Sequence, residues 1–542
     1  MSLNLTGAGG LRRLRLLWAA IAAFTGVAVL YFDLGPPVPF VDDAVYAWYV
    51  RSLAAGRGLV SYPDFVPLAL THRVLGLVGT LGHPDLRLLR LTVFPFLLFA
   101  GWATYRLARR LGAAPGWSAV AALALAANPI TLSLATSFMT DVVFMGLLAV
   151  ACLFGLSWIT ASRQQGLMVA ATLLAVGERQ IGVSAAVGIT VALWLRARRG
   201  GRLTRADQAW LMALWTGTAV LSALSWRLGA QPTASVGAGL FTSSAVEARQ
   251  LADWLVFAPG MCGLVFLPFL PVLVRRAIDQ RTAGAAWVKV AGVLTAIAVA
   301  AVALVGAGGL VPSGHLNLYG LGPQAVSRFG YGSLRLGHPV IQLPKPVVFS
   351  PALLLAVSVA GVATSCVALY CAAGRRAWTR SLMDPVVVFL FLTALVQVPL
   401  LALVSHYDRY YLSALAPLLP LAAQRASAWS SPGWSAAAAP VIVGGLLLYV
   451  VGQQDYEAWQ AARDAVARQL YTQVDPASVD AGWETNFQYS WIPAFEAGRK
   501  MSAPTRFHLE FAPPGDPRPG RDYSSVSPGR IVVASGEAPV AP

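Results

Sequence analysis

The sequence predicts an all-α polytopic membrane protein of about 13 spans at ~20 residues per span, followed by a small extracytoplasmic α/β domain. Three observations predict it. Of the 542 residues, 57% are hydrophobic and only 12% charged. The mean hydropathy of +0.62 is more than burial in a soluble core accounts for. Apolar runs of spanning length recur from residue 14 to about residue 453 and then stop.

The runs fall at 14–32, 88–107, 117–135, 141–160, 166–179, 181–196, 208–228, 252–274, 287–307, 350–372, 384–404, 410–424 and 436–453. The first follows Arg12, Arg13 and Arg15 and ends on Tyr31 and Phe32 with no small-residue cleavage site, so it reads as an uncleaved span rather than a signal peptide. Every second connection is basic: Arg106, Arg109 and Arg110; Arg163; Arg196 to Arg205; Arg275, Arg276 and Arg281; Arg375, Arg376 and Arg380; Arg425. The positive-inside rule puts these connections and the N-terminus in the cytoplasm, and an odd number of spans then puts the C-terminus outside. The net charge of +16 is read as topology, and nucleic acid is not expected as a partner. Cys152, Cys262, Cys366 and Cys371 all lie in apolar runs, with no disulfide framework or metal spacing.

The long connections, 33–87, 229–251, 307–349 and the tail, all fall on the outer side. Residues 1–454 are therefore read as the transmembrane domain and 455–542 as the extracytoplasmic one. In the tail, DYEAWQAARDAVARQLY (455–471) has helical spacing and RIVVAS (530–535) strand character.

The candidate chemistry gathers on that outer side. Asp42 and Asp43 stand side by side in the first loop, and on a helix begun near Asp42, residues 42, 46, 49 and 53 share a face, placing a carboxylate beside the phenols of Tyr46 and Tyr49. The plainer reading is a helix N-cap with interfacial aromatics. Asp141, in TSFMTD (136–141), either starts a helix or faces the same cavity. Glu178 and Arg179, in GERQIG (177–182), either pair across a tight turn or offer Arg179 to an anionic ligand. SHYDRYYL (405–412) places His406, Asp408, Arg409 and Tyr410 at another outer junction, and Lys345 lies in the loop 307–349. Phosphate-cradling Gly loops, G-x-S-x-G and H-E-x-x-H are absent from the sequence.

Taken in order, DDAVY, RSLAAGRG (51–58), TSFMTD, ERQIG and HYDRYYLSALAPLLPL (406–421) resemble segments of the integral-membrane C-type glycosyltransferases, in particular relatives of the protein mannosyltransferases and aminoarabinose transferases. The resemblance covers roughly residues 14–454 and implies the GT-C fold. It also implies a sugar donor carried on a polyprenyl phosphate, an inverting transfer to a lipid, glycan or protein acceptor among the membrane lipids, and a first-loop carboxylate as base. On this resemblance Asp42, Asp43 and Asp141 are the catalytic candidates; Tyr46, Arg179, Lys345, His406, Asp408, Arg409 and Tyr410 are the substrate-binding ones. The sequence commits to no cofactor; a divalent metal, Mg or Mn, joining Asp42 and Asp141 to the donor phosphate stays an open alternative. The chain departs from the family in its first loop, where YPDFVPLALTHRVLG (62–76) carries Pro67 and His72 but no Lys. A lipid or glycolipid transporter or flippase, and a non-catalytic assembly subunit, are the competing readings; the absence of an internal repeat and the gathering of charge at one face weigh against transport.

Overall fold

The computed structural model describes residues 8–33, 43–60, 69–228, 263–281, 384–397, 408–497, 507–525 and 528–535, with short pieces between 326 and 368. Among the described residues five helices are long and apolar enough to cross a membrane: Arg12–Asp33, Leu86–Arg110, Thr140–Ala161, Gln180–Arg198 and Gly433–Tyr471. The expected runs at 287–307 and most of 350–372 lie outside the described residues.

The first half is a run of helices: α1 (Ala8–Asp33), α2 (Asp43–Ala54), α3 (Leu70–Gly79), α4 (Leu86–Leu91), α5 (Phe94–Arg110), α6 (Pro115–Ala126), α7 (Pro129–Ala135), α8 (Thr140–Ala161), α9 (Gln165–Glu178), α10 (Val183–Arg198) and α11 (Arg205–Leu228). Beyond it come α12 (Leu270–Arg281), a two-residue-strand hairpin β1 (Val326–Ser327) and β2 (Gly330–Tyr331), α13 (Pro385–Leu395), α14 (Asp408–Leu415), α15 (Leu419–Trp429) and α16 (Ala439–Tyr471).

Helix α8 is apolar all round, TDVVFMGLLAVACLFGLSWITA, and a helix of that composition belongs at the centre of a bundle. Its most apolar window is 83% buried, against 33% for α1. Helix α13 docks against α8 and α10 where glycines clear the way. A Cβ on Gly155 would lie 2.5 Å from the Phe389 ring, and one on Gly188 2.8 Å from the Phe389 carbonyl oxygen. Small residues of this kind let helix backbones approach closely where lipid offers no hydrophobic gain.

The run at 117–135, expected as one span, is broken. Helices α6 and α7 meet at 57°. Pro129 cannot donate to the preceding turn, and the Asn128 side chain accepts from the Ile130 N–H at 3.0 Å and starts a new helix. The turn after α7 therefore lies close over the start of α8.

The two ends of the bundle differ in kind. At one, Asp207 accepts from Trp158 Nε1 at 2.6 Å and from Arg196 Nη2 at 2.9 Å, and closes a reciprocal cap with Thr204. Arg163, Arg198, Arg199 and Arg202 crowd the same connections. At the other lie the start of α8 and the end of α9.

Helix α16 runs for 33 residues, about 50 Å at 1.5 Å per residue, so residue 455 falls inside a continuous helix. The tail sheet packs on its far half. Strands β3 (Val479–Asp480), β4 (Phe507–Ala512), β5 (Gly520–Tyr523) and β6 (Gly529–Ser535) have the order β3-β4-β6-β5, parallel between β3 and β4 and antiparallel elsewhere. Trp459 of α16 meets Phe511 of β4 edge-on at 5.3 Å.

Gly188→Leu should weaken the seat of α13 by about 1–3 kcal/mol, the usual cost of overpacking a close contact. A lower melting temperature of the detergent-solubilised protein, with Gly444→Leu as a control at an open position, checks this.

Candidate active site

Helix α2 starts at Asp43 and is buried along nearly its whole length. Asp42 lies outside the described residues. The Asp43 carboxylate is fully buried, and its Oδ2 accepts from Arg90 Nη2 at 2.9 Å and Nε at 3.2 Å. Asp33, the last residue of α1, is buried in the same region. Arg90 thus ties the start of α2 to α4.

Helix α2 is held from its other side by the tail. Glu496 Oε1 accepts from Trp48 Nε1 at 2.7 Å and from Arg57 Nη1 at 2.6 Å, and Trp48 meets Phe495 edge-on at 5.7 Å. The Trp48 hydrogen bond, with help from Arg57, holds the Glu496 carboxyl below the usual carboxylate range.

Helix α3 brings in two residues the motif search did not select as site residues. His72 is 1% exposed; its Nδ1 lies 3.0 Å from Glu178 Oε1, and its ring faces Phe138 at 4.0 Å and the Tyr46 edge at 5.5 Å. Arg73 is also 1% exposed. It donates from Nη1 to the Val60 carbonyl at 2.6 Å and lies 3.8 Å over the Tyr49 ring, while Nε and Nη2 have no hydrogen-bond partner among the described residues. Burial pulls its pKa down to about 10, with Tyr49 and Tyr46 opposing, which leaves it a cation at neutral pH.

Glu178 and Arg179 do not pair with each other. Glu178 ends α9, whereas Arg179 is extended (φ −146°, ψ 130°), and this break in the helix sends the two side chains to different partners. Arg179 Nη1 lies 2.8 Å from Asp141 Oδ1, and its Nε donates to Thr140 Oγ1 at 3.0 Å. Asp141 is 6% exposed, and its Oδ2 has no hydrogen-bond partner among the described residues. It lines a cleft with Met145 of α8 and Leu412 and Ser413 of α14.

Of the sequence candidates, Tyr46, Asp141 and Arg179 are therefore brought into one cluster, with Asp43 beside it on α2. Lys345 and His406 lie outside the described residues; Asp408, Arg409 and Tyr410 form the first turn of α14, the helix that reaches the Asp141 cleft. Arg73 lies in the THRVLG segment of the first long connection, where nothing in the local pattern marks it as buried. Among the described residues no group of three or more His, Cys, Asp or Glu is placed to hold a metal ion. Asp141 already faces a guanidinium.

No family model matches the chain, and no curated protein matches it. Among solved structures it is similar to ArnT from Cupriavidus metallidurans in the apo state, with 14% identity, 96% of this chain and 97% of that one covered, and a TM-score of 0.40. The same protein bound to undecaprenyl phosphate gives 15% identity, coverage of 95% and 98%, and a TM-score of 0.39. The S. cerevisiae protein O-mannosyltransferase Pmt1-Pmt2 complex bound to the sugar donor gives 16% identity and a TM-score of 0.32 over 40% of this chain. The match spans 33% of that mannosyltransferase chain.

Arg90→Met should destabilise the protein by about 3–5 kcal/mol, because it leaves Asp43 buried without its cation; Arg90→Met/Asp43→Leu should recover most of that loss. Thermal melts in detergent compare the two. The contribution of Glu496 carries the sign of a depressed carboxyl: present above the ordinary value of 4.5 and lost as pH falls through the lowered folded value. Faster proteolysis of the tail on acidification, absent in Glu496→Gln, reports it.

Proposed function

We propose that this protein is a membrane glycosyltransferase that moves a sugar from a polyprenyl-phosphate-linked donor to a lipid, glycan or protein acceptor at the outer face of the cytoplasmic membrane. The observation that carries the reading is Arg73: a buried guanidinium with two nitrogens unengaged among the described residues, one residue from His72 in the cluster that holds Asp141. A cation in that setting suits a phosphate, whose oxygens take its remaining N–H groups in charge-assisted hydrogen bonds.

The roles follow from the chemistry of transfer. The acceptor hydroxyl attacks the anomeric carbon, the C–O bond to the phosphate breaks, and the configuration inverts. The hydroxyl proton passes to a carboxylate, and Asp42 is the base in this reading. Asp43, held by Arg90, sets the position of the helix on whose N-terminal side Asp42 stands. Arg73 takes the charge that grows on the departing polyprenyl phosphate. Asp141, held by Arg179, stands beside the proposed sugar site, and α14, whose Leu412 and Ser413 line the same small cleft as Asp141, carries the Asp408, Arg409 and Tyr410 segment. A Mg or Mn ion at this site would take Asp42 and Asp141 as ligands, and Asp141 is engaged by Arg179.

The arginine-rich end of the bundle is assigned to the cytoplasm with the N-terminus, and the cluster and the C-terminal domain to the outside, by the distribution of basic residues. The transporter reading places ionisable groups within the spans; in this chain the acids and cations of the cluster sit at helix ends.

Asp42→Asn should lower transfer from a radiolabelled polyprenyl-phosphate sugar by about 100-fold or more, the usual scale of general-base loss, in membranes where the protein accumulates normally. Undiminished transfer in that variant, or net lipid translocation in proteoliposomes without glycosidic bond formation, overturns the reading.

A further inference from the structure

His72 stands where three elements meet, and its hydrogen bonds fix its protons. Its Nε2 lies 3.2 Å from the carbonyl oxygen of Phe138, and its Nδ1 3.0 Å from Glu178 Oε1. A carbonyl oxygen only accepts, so Nε2 carries a proton. The bond between Nδ1 and Oε1 needs one more, whichever atom holds it. Imidazolium with carboxylate, or neutral imidazole with carboxylic acid, gives the same result: a pair that is neutral overall and always donates to Phe138. The charged and titratable groups around it are Tyr46 on α2, Arg179 after α9 and Asp141 on α8.

Phe138 belongs to the turn between α7 and α8; α8 begins without a capping side chain, and Arg179 holds its first two residues, Thr140 and Asp141, from the end of α9. The N-cap of α8 is Met139, which makes no side-chain capping bond. Uncapped helix starts fray unless something else satisfies or holds them. His72 is itself braced, because the neighbouring Thr71 Oγ1 donates to the Leu174 carbonyl of α9 at 2.8 Å. The α3–α9 contact thereby reaches across to the turn that precedes Asp141.

We propose that the His72–Glu178 pair is a positioning element for Asp141: by donating to the Phe138 carbonyl it holds the turn between α7 and α8 and so fixes where the Asp141 carboxylate enters the cleft. The inference rests on the reading that Asp141 borders the transfer site. Neither His72 nor Glu178 need touch substrate.

The test uses the full-length protein in detergent. His72→Phe/Glu178→Leu removes both polar partners together and keeps the apolar bulk, so no buried charge is orphaned, and a monodisperse size-exclusion profile checks that it folds. Hydrogen exchange over residues 136–148, read by mass spectrometry without any substrate, should speed by about 10-fold or more. His72→Gln retains a donor for the Phe138 carbonyl and should stay within about 3-fold of the parent protein. With a polyprenyl-phosphate sugar as donor, the double variant should lose kcat by about 10-fold or more while its KM for the donor stays within about 3-fold. Unchanged exchange in the double variant overturns the proposal, as does an unchanged kcat beside faster exchange. If the parent protein transfers no sugar at all, the glycosyltransferase reading fails, and the exchange comparison still decides whether the pair holds the turn.

Discussion

Ionised side chains buried at the edge of an apolar bundle must find opposite charge, and that constraint shapes the end of this protein where α8 starts and α9 stops. An unpaired buried ion costs several kcal/mol, so each pairing is also a placement. Arg90 takes Asp43 and thereby docks α2 on α4. Arg179 takes Asp141 and ties the end of α9 to the start of α8. His72 takes Glu178 and ties α3 to α9. Close packing adds to these pairings: Gly76 of α3 leaves no room for a Cβ against Val50 of α2, Leu89 of α4 and Phe138.

Arg73 departs from the pattern, and the departure gives the cluster its proposed use. Among the described residues its neighbours are a carbonyl oxygen and a tyrosine face rather than a carboxylate. A structural cation at such depth would be expected to have an acid beside it, whereas a cation that receives an anionic ligand is better left without one. The opposite end of the bundle shows the structural arrangement for contrast: Asp207 is saturated by Arg196, Trp158 and Thr204, and no unengaged acceptor remains for a ligand. The tail adds a further hold on α2 through Glu496, so the C-terminal residues take part in positioning that helix.

The sequence made the central features legible where they depend on local pattern. Helix α8 could be read from its unbroken apolar run, and the division of the two ends from the alternation of basic connections. Asp141 and Arg179 stood out as charges beside hydrocarbon. Their pairing with each other, rather than Arg179 with Glu178, follows from an extended residue between two helices and from the bend at Asn128–Pro129, both resolved only by packing. That bend was written in the sequence as an Asn-Pro step, but hydropathy alone reads across it. Arg73, His72 and Arg90 looked like ordinary loop or helix-end residues, because burial at 1 to 4% exposure is a tertiary property.

The most direct measurement is a cryo-electron microscopy structure of the protein in nanodiscs supplied with undecaprenyl phosphate. The account predicts the lipid phosphate within hydrogen-bond distance of Arg73 Nε or Nη2, on the same side of the bundle as Asp141. A phosphate seated among the arginines at the opposite end, or lipid density that leaves Arg73 buried against Tyr49 alone, would contradict it.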